Sequence, residues 1–183
     1  MSRHFALPLF AVLLGLGSAG RAEEIVIDFE QAEIGKPRPD WTEKGVVFKL
    51  AGPPTHSKAI GRIMFFPHIA TNHKGILNAM ATEQAIPVQA TFPKSAARVT
   101  LVLWGSTGCP ALLEALDKRG QVIDKASVAA VPGRSAPAEP IPFLELTVKA
   151  PEGSAIAAIR FSGPRDGEFL AADEIRITTV DAK

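Results

Sequence analysis

The chain has 183 residues, with 20 Lys and Arg against 19 Asp and Glu, and a single cysteine. So even a balance, with no basic block, argues against nucleic acid or an anionic membrane surface as a partner. One cysteine excludes an internal disulfide, so stability must come from a buried core; Cys109, in Gly108-Cys109-Pro110, is expected to sit there as a small hydrophobe.

The N-terminus reads as an export signal. Arg3 and His4 precede the apolar run Phe5 to Leu16, then come Gly17, Ser18, Ala19 and Gly20, and Ala22 stands before the acidic pair Glu23-Glu24. The run is too short for a bilayer, which takes roughly 20 apolar residues. Residues 1–22 are therefore expected to be a cleavable signal peptide and residues 23–183 a single domain. Its destination would be secreted or periplasmic, with no membrane anchor left after cleavage.

Strand signals follow in chain order. Glu24 to Glu30 places Ile25, Ile27 and Phe29 on one side and Asp28 and Glu30 on the other. Gly45 to Leu50 and Ile86 to Phe92 read as further strands. Val99 to Trp104 and Ala155 to Phe161 are apolar on both faces, as central strands are. Ala111 to Val128 reads as a hairpin about the turn Asp117-Lys118-Arg119-Gly120. Leu144 to Lys149 alternates without a fault, and Ile175 and Ile177 oppose Glu174, Arg176 and Thr178 near the end. Proline-rich stretches at Lys36 to Pro39, Gly52 to Pro54 and Pro132 to Pro142 mark breaks, because proline cannot donate to a ladder. No window reads as a long helix. Many short strands between turn signals predict an all-β, antiparallel two-sheet sandwich.

The opening IDFE, the strand Gly45-Val46-Val47-Phe48, the run Ile86 to Pro93, VTLVLWG, LEALDKRGQVIDKAS and the closing DEIRI together resemble the galactose-binding-like jelly rolls of secreted bacterial proteins. Many carbohydrate-binding modules belong to that group. The resemblance implies a jelly-roll β-sandwich. It also implies a structural calcium near the first and last strands, held by Glu30 and Asp173, with Asp28 or Glu174 as substitutes. Calcium needs six to eight oxygens, which clustered carboxylates and loop carbonyls supply.

Other candidates are thinner. His56, His68 and His73 fall in one expected loop region, and imidazoles suit zinc or copper. Their spacing matches no standard motif, and neither HExxH nor a G-x-S-x-G elbow is present. Sugars stack on Trp or Tyr, yet the chain has no Tyr and two Trp. Trp104 ends an apolar strand and is expected in the core, which leaves Trp41, expected in a loop, as the ligand platform. The function expected is an exported, non-catalytic module that recognises an extracellular glycan or other ligand through its loops. The alternatives are a metal-dependent hydrolase built on the loop histidines and a structural protein–protein interaction domain.

Overall fold

The computed structural model describes residues 22–52, 62–68, 71–78, 86–133, 141–162 and 170–180. The expected signal peptide, apart from Ala22, and His56 lie outside them. The described residues form eleven strands and no helix: β1 (Glu24–Ile27), β2 (Asp40–Glu43), β3 (Val46–Leu50), β4 (Ile63–Pro67), β5 (Lys74–Asn78), β6 (Val88–Gly105), β7 (Ala111–Leu116), β8 (Val122–Val128), β9 (Leu144–Lys149), β10 (Ile156–Ser162) and β11 (Leu170–Thr179). All the strand pairings are antiparallel. The chain is an all-β sandwich.

The 18-residue strand β6 joins its two layers. The first half of β6 lies between β3 and β10, giving the order β2–β3–β6–β10–β7–β8. Its second half lies between β11 and β9, giving β4–β5–β11–β6–β9, with β1 sharing the free edge of β11 with β5. Two separate strands were expected here, Ile86 to Phe92 and Val99 to Trp104. Instead the chain runs on through Pro93. The ladder to β10 skips from Ala158 opposite Thr91 to Ile156 opposite Ala96, so no hydrogen bond is asked of the proline.

The core fills the space between the layers. Phe29, after β1, packs edge-on against Phe48 of β3 at 5.2 Å and against Phe65 of β4 at 5.9 Å. Trp41 of β2 meets Phe65 at 5.1 Å. Offset and edge-to-face pairs of this kind add to the area that large rings bury. Cys109 is buried in the same core, as its sequence context suggests.

Several expected elements appear where alternation placed them. β9 matches residue for residue, and β1 pairs β11 with Ile25 opposite Ile177 and Ile27 opposite Ile175. In the β7–β8 hairpin Asp117 Oδ1 accepts the amides of Arg119 and Gln121 at 2.8 and 2.9 Å, and Gly120 takes φ +77°. Three strands were not anticipated: β2, β4 and β5. Each is short and carries proline, glycine or charge; β2 pairs with the next strand, β3, and β4 with β5, while β5 also meets the distant β11.

Candidate functional site

Trp41 lies on β2 and not in a loop. Asp40–Glu43 pairs with β3, and Trp41 stands opposite Phe48, which turns its ring toward the core. The indole is half-buried, donates from Nε1 to Glu43 Oε2 at 3.2 Å, and has the Arg38 guanidinium 5.1 Å from its ring centre.

A different aromatic group stands on the outer face of the β4–β5–β11–β6–β9 layer. There Trp104, Ile141 and Ala171 form a small buried cluster, with Phe66 and Leu77 packed against it. A close approach makes this possible: at Gly75 a Cβ would meet Ala171 Cβ at 2.8 Å, so β5 can press against β11 only with glycine there. His68 roofs the cluster. Its ring meets Trp104 edge-on at 5.0 Å, and its Nε2 lies 3.0 Å from the Ile141 carbonyl. On the other side Phe143 stacks on His68 at 4.7 Å and 23°, and His73 comes within 6.2 Å of the same phenyl ring. Phe143 keeps 39% of its surface exposed.

Beside Phe143 lies a polar corner, built by an irregularity in β11. Ala172 pairs with Leu103 and Glu174 with Val102, so Asp173 is the extra residue of a β-bulge. Bulges redirect a side chain that strict alternation would send elsewhere. Asp173 is almost wholly buried, and its Oδ1 has no hydrogen-bond partner among the described residues. Its Oδ2 faces His73 Nδ1 at 3.5 Å, and the same nitrogen lies 4.0 Å from Glu30 Oε1. Glu30 Oε1 also accepts the Lys74 amide at 3.1 Å, and the Lys74 ammonium donates to the Glu30 carbonyl at 2.5 Å. Burial pushes the Asp173 carboxyl up from 3.8 to about 6; the neighbouring His73 pulls it back, while Glu30 and Glu174 push it further up.

The four carboxylates expected at a metal are thus placed as follows. Glu30 and Asp173 meet at one imidazole, as the pairing of first and last strands requires. Asp28 turns its Oδ1 to the Glu30 amide at 3.2 Å, and Glu174 pairs with Arg176. Among the described residues no group of three His, Cys, Asp or Glu side chains converges as metal ligands do. Apart from Asp173 Oδ1, which has no partner among the described residues, these oxygens face N–H donors and an imidazole, not the cage of oxygens that calcium takes. The two described histidines also serve different partners, His68 a carbonyl and His73 the carboxylates, so no shared metal position joins them.

Phe143 was missed. Its signal was present, because alternation through Leu144, Leu146 and Val148 puts residue 143 on the wet face, where a large apolar ring has no structural reason to be. Asp173 was singled out, but its bulge could not be foreseen.

No sequence family and no curated protein matches the chain. Solved structures similar to it include TmCBM61 in complex with beta-1,4-galactotriose, at 13% identity over 84% of this chain and 94% of that one, with a TM-score of 0.46. A family 29 carbohydrate-binding module from Piromyces equi is similar at 12% identity over 87% and 91%, with a TM-score of 0.47. The K1 cleaved adhesin domain of Lys-gingipain from Porphyromonas gingivalis W83 shares 11% identity over 87% and 99%, with a TM-score of 0.41. Likeness at this level carries no weight for function, which is left to the chain's own residues.

Proposed function

We propose that the protein is an exported, non-catalytic binding module and that it takes a glycan on the outer face of the β4–β5–β11–β6–β9 layer, with Phe143 as the platform. The observation that carries this reading is Phe143 itself, a large ring more than a third exposed, held flat by the His68 stack and flanked by polar groups. A pyranose offers an apolar C–H face to such a ring while its hydroxyls reach for donors and acceptors at the edge. His73 and Glu30 supply those, and both are open enough to be reached. Export rests on the apolar leader between Arg3 and Ala22.

Binding to a neutral-glycan array, repeated with Phe143→Ala, tests the proposal. Loss of binding in Phe143→Ala with Trp41→Ala unchanged supports it. Loss in Trp41→Ala alone moves the platform to Trp41, and no glycan binding at all turns the weight to a protein ligand.

Calcium is a second proposal, favoured by the pairing of β1 with β11, which brings Glu30 and Asp173 to one point. For it to bind, His73 and the Lys74 amide must give way. A ligand of the folded state alone stabilises by RT ln(1 + [L]/Kd), about 2.7 kcal/mol at a hundredfold excess over Kd. A melting midpoint that rises with calcium and no longer does so in Glu30→Gln supports the staple; an unchanged midpoint ends it.

A further inference from the structure

The far end of β11 carries a second feature, unlike the Phe143 corner. Between Thr91 and Ala96 the ladder from β6 to β10 is interrupted, and Phe92 to Ser95 swing out of register. They leave a cleft of about 820 Å³, within the range of roughly 300–1,000 Å³ usual for small-molecule sites. Phe92 borders it but is buried in the main core. Pro93, Ala155 and Ala157 give the cleft an apolar floor, and the hydroxyl residues Thr91, Ser95 and Thr179 also line it. Its two charged lining residues are both cations, Lys94 on β6 and Lys118 on the β7–β8 turn, and no carboxylate side chain lines it.

The rim is held by different parts of the chain. Val180 donates its amide to the Ser95 carbonyl at 3.0 Å and fixes the swung-out segment. The Asp117 turn places Lys118. The Lys94 ammonium is met at 2.8 Å by the carboxylate of Glu23, a half-exposed side chain that does not line the cleft. Glu23 thus sits where an incoming carboxylate would sit, on a side chain loose enough to be displaced.

We infer that this cleft is an anion site for a sugar acid: a uronate residue of an acidic oligosaccharide, its ring on the apolar floor and its carboxylate between Lys94 and Lys118. Two ammonium groups fix a carboxylate by charge, while the floor requires an apolar face, which inorganic anions lack. The site is separate from Phe143 and does not depend on that platform.

Isothermal titration of the full chain with trigalacturonate at low salt is the test, with neutral galactotriose as the comparison. The expected result is binding of the acid alone, weakened at least tenfold in Lys94→Ala/Lys118→Ala and weakened by salt. Glu23→Gln, which removes the competing carboxylate, should tighten it severalfold. Lys49→Ala, a change of charge at an exposed lysine that does not line the cleft, and Phe143→Ala should leave it intact. No binding of trigalacturonate, unchanged binding in the double variant, or equal loss in Lys49→Ala would each overturn the inference. Loss in Phe143→Ala would assign the sugar acid to the other site and overturn it too. Neutral-glycan binding lost in Phe143→Ala is a separate outcome that leaves this one standing or falling alone.

Discussion

Two groups of aromatic rings, one inside the sandwich and one on its outer face, are built from similar side chains and serve different ends. Phe29, Phe48, Phe65 and Trp41 meet between the layers, where the three phenylalanines are fully buried and the one polar atom, Trp41 Nε1, has Glu43 as its acceptor. Trp104, His68 and Phe143 stack outward through the β4–β5–β11–β6–β9 layer, from a buried indole to an exposed phenyl ring, beside the buried carboxylate of Asp173. The first group is arranged as hydrophobic burial dictates. The second leaves apolar surface in water and a charge away from it, both of which oppose folding. Such expense without structural return is the usual mark of a site.

The largest difference between the groups should appear on truncation. Phe48→Ala opens a cavity in a closed core and is expected to cost about 3–5 kcal/mol. Phe143→Ala removes a ring already partly in water and should cost less than about 1 kcal/mol. Urea denaturation of both variants measures this. Equal losses would make Phe143 a core residue and remove the reason to treat it as a platform.

Asp173 comes next. Its folded carboxyl binds a proton more tightly than the unfolded one, so ionisation opposes folding. The penalty is absent below pH 3.8, grows up to about pH 6 and is present in full above that. Asp173→Asn removes it. The variant should be more stable than the parent by about 2 kcal/mol above pH 6, and the gain should vanish as the pH falls toward 3.8. Denaturation from pH 3.5 to 8 follows the two curves. A variant less stable than the parent at pH 7 would mean that the His73 contact outweighs burial.

His73→Ala should have the smallest effect, under about 1 kcal/mol at neutral pH, because the imidazole is largely exposed. Its direction matters more. His73 holds the Asp173 carboxyl down, so its removal should shift the Asp173 titration upward, as carbon-detected NMR of the carboxyl would report. A downward shift would show that His73 does not pair with Asp173.

Alternation, a property of neighbouring residues, determined much of the fold. Ile25 and Ile27, Leu144 to Lys149, and Ile175 and Ile177 disclosed their strands and faces, because the side-chain period of a strand is two wherever the strand lies. The β7–β8 turn was equally local, fixed by Asp117 and Gly120. The strands β2, β4 and β5 were not legible, since Trp41 becomes a strand residue only by pairing with Phe48, and β5 by meeting β4 and Gly75 allowing it onto β11. Glu30 and Asp173 could be named as neighbours once the first and last strands were paired. Their meeting through His73 could not, because it depends on one extra residue in β11 set against β6, some 70 positions earlier in the chain. Phe143 was marked by its place in an alternating strand, and only the tertiary structure put His68 behind it. Local chemistry chooses strands and faces; register between distant strands chooses which side chains meet, and the binding corner of this protein is made by register.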